Sequence, residues 1–305
     1  VKLVVLPCLY RRFYFPWPLF GKVHKTVKES DVIHLLSHWT LINVMAFVLA
    51  RINKKPYVIT PLGALPIYGR SNFLKRIYNF IVGKKLLSVY RRGKFIIIEL
   101  DSGFLLIHLR MTGKVVLDKP IIKEMKYVSF QLTFADGSDL FFQDIRKFGR
   151  IYICNNLSWL EKRLGIEPLS NDFTSKWLFR QLHKRKRMMK PLLLDQQFIA
   201  GLGNIYVDEA LWQSGIHPKA ISNKIGQIRS TKLSTSIKDI LNRAIYYQGT
   251  TIINFSYGQN KNGNFSDELK IFGKTNNPCP NCNQPIIKNF IAQRGTHYCN
   301  KCQKY

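Results

Sequence analysis

The sequence predicts an α+β multidomain chain. An α/β N-terminal fragment leads, followed by a partial antiparallel β-sandwich, a domain of two helices about a tight turn, and a C-terminal β-hairpin bearing cysteines. Three observations carry that reading. Short apolar runs alternate with an apolar helical stretch up to residue 83. Strands separated only by turn residues follow to residue 155. Two Cys-x2-Cys pairs close the chain. The corresponding boundaries are 1–83, 84–155, 156–262 and 263–305.

With 305 residues the chain is long enough for several cores. Its net charge of +29 calls for a polyanionic partner, nucleic acid first and a membrane surface second. An aromatic content of 13% argues for a packed protein over a disordered basic tail. The run Trp39–Ala50 is interrupted by Thr40 and Asn43 and is too short to span a bilayer. Apolar Leu3–Leu6 precedes basic Arg11 and Arg12, the reverse of a signal peptide. Four of the six cysteines cluster at the C-terminus, a metal-binding usage in a reducing compartment and not a disulfide framework.

In the first segment, Val1–Leu6 and Tyr57–Thr60 read as short buried strands, and Asp31–Ile52 as a strand end followed by an apolar helix. The order DVIHLLSHWTLINVMA, then KKPYVITPLGALPIYGRSNFLKRIYN, resembles the N-terminal half of family-4 GT-B glycosyltransferases. Nothing supplies the second half that would hold a sugar nucleotide, so the fragment is expected to have no activity of its own. His34 and His38 share helical spacing without a third ligand, which favours a structural role over a metal.

From Lys84 the pattern changes. Phe95–Leu100 and Phe104–Leu109 are apolar strands joined through Asp101-Ser102-Gly103. A second hairpin joins Val128–Phe134 to Leu140–Phe142 through Asp136-Gly137. Further on, Ser170 or Asn171 is suited to cap a helix from about Phe173, with Trp177, Leu178 and Leu182 on one face. The basic run His183–Lys190 comes next, then an apolar turn at Leu192–Leu194 that stops at Asp195 and Gln196. Gly201-Leu202-Gly203 allows a tight reversal, and a helix runs from Asn204 to Gly215. Its N-terminus, close to a basic run, is suited to phosphate; a turn with no ligand is the alternative. Ile221–Tyr247 reads as an amphipathic helix pair ended at Gly249. Cys279, Cys282, Cys299 and Cys302 then form a four-thiolate set suited to one tetrahedral, structural Zn2+, with iron or an unmetallated set as the alternatives.

The stretch GLGNIYVDEALWQSGIHP resembles the helix–two-turn–helix element of the formamidopyrimidine-DNA glycosylase and endonuclease VIII family. Arg91-Arg92-Gly93-Lys94, HLRMTGK (His108–Lys114), the loop from Asp144 to Gly149, and QRGTHYC resemble further motifs of that family in the same order. The likeness covers about residues 84–303. It implies a zinc finger and contacts to double-stranded damaged DNA by a monomer in the cytoplasm, associated with the nucleoid. By that resemblance Met111 fills the gap left by an extruded base, Arg146 meets the orphaned base and Phe148 is a wedge, as extruding a base from a duplex requires. Lys94 contacts DNA and assists elimination. Lys190 and Asn204 contact phosphates, Arg185 and Lys186 add nonspecific affinity, and Arg294 grips the phosphates beside the lesion and assists δ-elimination. Ile145 and Lys147 depart from the family's usual Pro and Arg, and Lys126-Tyr127-Val128-Ser129 replaces a histidine-bearing stretch. Asn260–Phe265 occupies the place of the damaged-base cover.

The implied reaction is excision of oxidised purines (8-oxoguanine and formamidopyrimidine), followed by cleavage at the abasic site. The family's amine is an N-terminal proline followed by glutamate, and here the sequence reads Val1-Lys2-Leu3. The expectation is therefore a damaged-DNA binder with impaired catalysis, in which Lys94 is the one motif-borne amine. A non-catalytic DNA-binding module and a sugar transferase are the other classes considered.

Overall fold

The computed structural model describes residues 8–10, 15–16, 20–30, 33–36, 41–55, 57–60, 77, 80–117, 122–250 and 263–305. These fall into two compact units, residues 1–83 and 84–305. In the first, β1 (Cys8–Tyr10) pairs antiparallel with β2 (Phe15–Pro16). Helix α1 (Phe20–Glu29) precedes β3 (Ile33–Leu36), α2 (Leu41–Ile52) and β4 (Tyr57–Thr60). β3 and β4 are parallel, and α2 lies between them in the chain, as a βαβ unit requires. Val23 and Val27, one helical turn apart on α1, bury against Leu49 and Ala50 of α2. The strand and helix read from Asp31–Ile52 and Tyr57–Thr60 are present; Val1–Leu6 and His38 lie outside the described residues.

The second unit opens with an antiparallel sheet. It consists of β5 (Leu86–Arg92), β6 (Phe95–Leu100), β7 (Gly103–His108) and β11 (Arg150–Cys154), in the order β11-β7-β6-β5. A second sheet, in the order β8-β10-β9, contains β8 (Gly113–Val116), β9 (Val128–Thr133) and β10 (Asp139–Asp144). The run FIIIEL has no polar alternation because both faces of β6 and β7 are covered. Ile97 and Leu106 pack with Leu160 of α3 (Ser158–Glu161), while Ile98, Leu100, Leu105 and Ile107 on the opposite face are also buried. Both expected hairpins are present. β5, β8 and β11 are not among the strands read from the sequence.

The helical part comprises α4 (Ser175–His183), α5 (Met189–Leu193), α6 (Asn204–Gln213) and α7 (Gln227–Tyr246). The cap of α4 is Thr174, not Ser170 or Asn171: its hydroxyl accepts the Trp177 N–H at 3.1 Å. Phe173, just before that cap, is buried with Leu178 in the same core and fixes the chain's entry. Residues 221–247 form one long helix after a short 3-10 turn, not a helix pair, because Gly226 sits at the N-cap of α7. A hairpin of β12 (Ile287–Ile291) and β13 (Arg294–Tyr298) ends the unit. Among the described residues no helix is long and apolar enough to cross a membrane.

Candidate nucleic-acid interface

The turn joining β5 to β6 is held to the helical part by one carboxylate. Glu167 accepts the Gly93 N–H at 2.5 Å, the Arg92 Nη1 at 2.9 Å and the Arg91 Nη2 at 2.8 Å. Arg92 also donates to the Gly165 carbonyl at 2.9 Å. Burial alone would raise the pKa of Glu167; the hydrogen bonds from Arg91, Gly93 and Arg92 hold it below the usual carboxylate range. Sequence reading passes over Glu167, since its partners lie more than seventy residues earlier in the chain. Glu167→Ala leaves a backbone N–H and two guanidinium groups without their acceptor, and should cost about 2–3 kcal/mol of stability. Urea unfolding measures this. A loss under about 0.5 kcal/mol would mean that water replaces the carboxylate.

That clamp places Lys94 over the two-glycine turn. Gly201 has φ +89°, so the reversal falls where the sequence puts it. A Cβ built on Gly203 would lie 3.9 Å from Lys94 Nζ. Lys94 is exposed as a residue, yet the protein around it, and then the Arg294 guanidinium, push its pKa down to about 8. His108, across the sheet from Phe95, is pushed down to about 4 by burial and by the charges of Arg110 and Lys94. Its imidazole is therefore neutral, and its Nδ1 accepts the Arg110 N–H at 3.1 Å. Lys94 and Arg294, two of the residues named from sequence, thus lie near enough for one charge to act on the other, and His108, the first residue of HLRMTGK, feels the Lys94 charge as well.

Met111, Arg146 and Phe148 meet as well. Met111 is 64% exposed and Phe148 47% exposed. The Arg146 guanidinium bridges them, 3.5 Å from the Met111 sulfur and 4.8 Å from the Phe148 ring centroid. The two loops are tied together by buried Asp144, which accepts the Thr112 hydroxyl at 2.5 Å and the Gly149 N–H at 2.6 Å. Burial opposes ionisation there, and these donors hold the Asp144 pKa low. Gly149 is required because a Cβ would stand 2.3 Å from the Phe142 ring. Ile145, where the family has Pro, is 51% exposed on the same loop. The outcome is an apolar-tipped, cationic projection on a rigid base.

The basic run divides. Lys190 is a correction: it is wholly buried and faces no solvent from which a phosphate could approach. Its ammonium donates to Asp208 at 2.6 Å and to the Gly295 carbonyl at 3.0 Å. Burial lowers its pKa and the Asp208 carboxylate opposes that. Arg185 is half-buried, bonded to Gln181 and stacked over Phe198 at 5.0 Å, while Lys186 is exposed. Asn204 lies in the first turn of α6, which has no side-chain cap, and its Nδ2 donates to the Gly295 carbonyl at 3.0 Å. Asp208 also accepts the His297 N–H at 2.9 Å, and Glu209 takes the backbone N–H groups of Lys270, Ile271 and Phe272. These two carboxylates of α6 thus hold the segment leading to the hairpin and the hairpin itself. Arg294 opens β13 and is exposed beside a two-residue loop, Ala292–Gln293, in which both φ values are positive.

The sulfur atoms of Cys279, Cys282, Cys299 and Cys302 all lie within 4.8 Å of one another. Two of the separations are 3.8 and 3.4 Å, near the edge of a tetrahedron with zinc–sulfur bonds of about 2.3 Å. The Trp212 indole N–H points at the Cys279 sulfur from 3.4 Å, a donor suited to a thiolate. The donor set fits a closed, four-coordinate metal.

Comparison with known proteins agrees with this arrangement. The formamidopyrimidine-DNA glycosylase N-terminal domain matches residues 69–151, and the H2TH domain of the same family matches residues 164–256. The first match begins ahead of Lys84, where sequence reading starts the likeness. Formamidopyrimidine-DNA glycosylase of Pelotomaculum thermopropionicum is 38% identical over 245 residues, 79% of this chain and 89% of that protein. The Bacillus licheniformis protein of the same name is 41% identical over 73% of this chain and 83% of its own length. A crystal structure of MutM (Fpg) from Thermus thermophilus matches 72% of this chain and 84% of its own, with TM-score 0.66 and 35% identity. Lactococcus lactis Fpg in complex with DNA containing an abasic site matches 76% of this chain and 86% of its own, with TM-score 0.69 and 36% identity.

Proposed function

This chain belongs to the formamidopyrimidine-DNA glycosylase family, and from that premise we propose that it grips damaged or abasic double-stranded DNA as a monomer, with Lys94 as the amine at its reaction centre. It is a DNA-repair glycosylase by family. The observation that carries the finer reading is the Lys94 amine set against the two-glycine turn, where burial and the Arg294 charge push its pKa down to about 8. Met111 and Phe148 enter the duplex at the lesion and Arg146 faces the unpaired base. Asn204, Lys186 and Arg294 lie along the phosphates, while Lys190 supports them from beneath. The neutral Lys94 amine adds to C1′ of an abasic sugar and water leaves, giving a Schiff base. Loss of a C2′ proton then expels the 3′ phosphate. Borohydride trapping on an abasic duplex tests this step.

Binding without cleavage is a second reading. Mobility shift of an abasic duplex without nicking would select it. Residues 69–83, read from sequence with the glycosyltransferase-like fragment, fall instead within the glycosylase N-terminal domain match; for residues 1–68 that likeness rests on motif order alone, and no activity is proposed for them.

We assign one structural zinc to Cys279, Cys282, Cys299 and Cys302. When bound it holds the hairpin together, and four protein ligands leave no position open for chemistry. Elemental analysis should find about one zinc per chain. Stripping it with a chelator should unfold the hairpin and abolish binding to abasic duplex, because a unit this small does not fold without its metal. Full binding by metal-free protein would remove the assignment.

A further inference from the structure

The C-terminal hairpin carries an aromatic side chain for which its own fold has no use. Phe290, one residue before the end of β12, is 71% exposed. Its cross-strand partner is Gly295, which has no side chain to pack against. The atom that approaches the side-chain position of Gly295 is Lys288 Cε, 3.8 Å from a Cβ built there, so the lysine stem and not the ring lies beside it. A single exposed apolar residue is ordinary on a protein surface, but three features set this one apart. Exposed cations, Lys288 and Arg294, flank it on the hairpin. The adjoining loop holds Ala292 and Gln293 at φ +48° and +61°, a conformation that non-glycine residues adopt at a cost. Finally, the Gly295 carbonyl is fixed by both Lys190 and Asn204, so the strand opposite Phe290 is anchored to α6.

We infer that Phe290 is an apolar contact to duplex DNA, its ring lying against sugar and base edges beside the phosphate that Arg294 holds. This rests on the reading of the chain as a binder of damaged DNA. The cations bring phosphates to the hairpin, and a ring held on a fixed strand loses little freedom when it meets a sugar or base face. A second copy of the chain is a poorer occupant. Each copy carries +29, and the ring is flanked by cations, so two such surfaces repel.

The experiment is fluorescence anisotropy of an abasic-site duplex titrated with the full chain at several salt concentrations, comparing wild type, Phe290→Ala, Phe290→Trp and Arg294→Ala. Phe290→Ala should raise Kd roughly ten-fold and leave the slope of log K against log salt unchanged, since no phosphate contact is lost. Arg294→Ala should reduce that slope by about one. Phe290→Trp should retain wild-type affinity, and its added emission should shift when duplex binds. An unchanged Kd in Phe290→Ala, with Phe290→Trp emission unmoved, overturns the inference and leaves the DNA reading standing on Arg294. Absence of duplex binding by wild type overturns both. Self-association that Phe290→Ala abolishes in sedimentation would assign the ring to a protein contact and overturn it as well.

Discussion

Replacing Lys94 by alanine should reduce the borohydride-trapped complex on an abasic duplex by at least roughly 100-fold. Only a neutral amine adds to the sugar, and Lys94 is a motif-borne amine that is both exposed and pushed down in pKa, to about 8, whereas Lys190 is wholly buried. Below that value the group is protonated and inert, so trapping by the wild type should rise with pH from 6 and level off above about 8. A phosphate seated beside Lys94 favours the ammonium and would move the inflection upward, never downward. Lys94→Arg separates chemistry from grip. Arginine keeps the charge and the phosphate attraction but does not deprotonate. It should therefore bind the abasic duplex nearly as well as wild type and trap none of it, whereas Lys94→Ala should also weaken binding. If both variants trap as efficiently as wild type, the amine lies elsewhere and the assignment is wrong.

What could be read in the sequence was whatever depends on close spacing. The four cysteines, the two-glycine turn and the loops carrying Met111, Arg146 and Phe148 are local patterns, and the fold brings the cysteines together, makes the reversal at Gly201 and sets Arg146 beside Met111. The basic run His183–Lys190 shows where that approach fails. Eight neighbouring residues look like one cationic face, yet the run leaves α4 at His183 and enters α5 only at Met189, and the connection between them sends successive side chains to different surroundings. Lys186 reaches solvent, Arg185 lies over Phe198, Arg187 pairs with Asp195 at 2.8 Å, and Lys190 disappears inside. Glu167 is the converse case. In GIEPLSN it looks like any loop acid, and its partners Arg91, Arg92 and Gly93 are distant in sequence. Asp208 and Glu209 likewise suit the start of a helix, and nothing near them announces backbone partners at residues 270–272 and 297. Long-range acceptors for buried donors carry no periodicity, so pattern reading passes over them.

The same blind spot holds the second large effect. Asp208→Ala should cost about 3–5 kcal/mol, because it strands a fully buried ammonium and removes the acceptor of the His297 N–H. The cost arises from leaving Lys190 charged and unpaired, so removing both partners should be milder than removing one. Lys190→Met combined with Asp208→Leu keeps the volume filled and should recover most of the loss, giving a coupling energy of the sign expected for a buried pair. Chemical denaturation of the four members of that cycle measures it, and a loss below about 1 kcal/mol for Asp208→Ala would mean that water reaches the ammonium. The double variant has a second use. Lys190 also donates to the Gly295 carbonyl, next to Arg294, so a refolded but unclamped hairpin should bind abasic duplex more weakly than wild type at equal stability. Stability restored with DNA affinity still reduced would separate the two roles of the pair. It would make the buried Lys190–Asp208 pair a positioning device for Arg294, acting on the DNA without touching it.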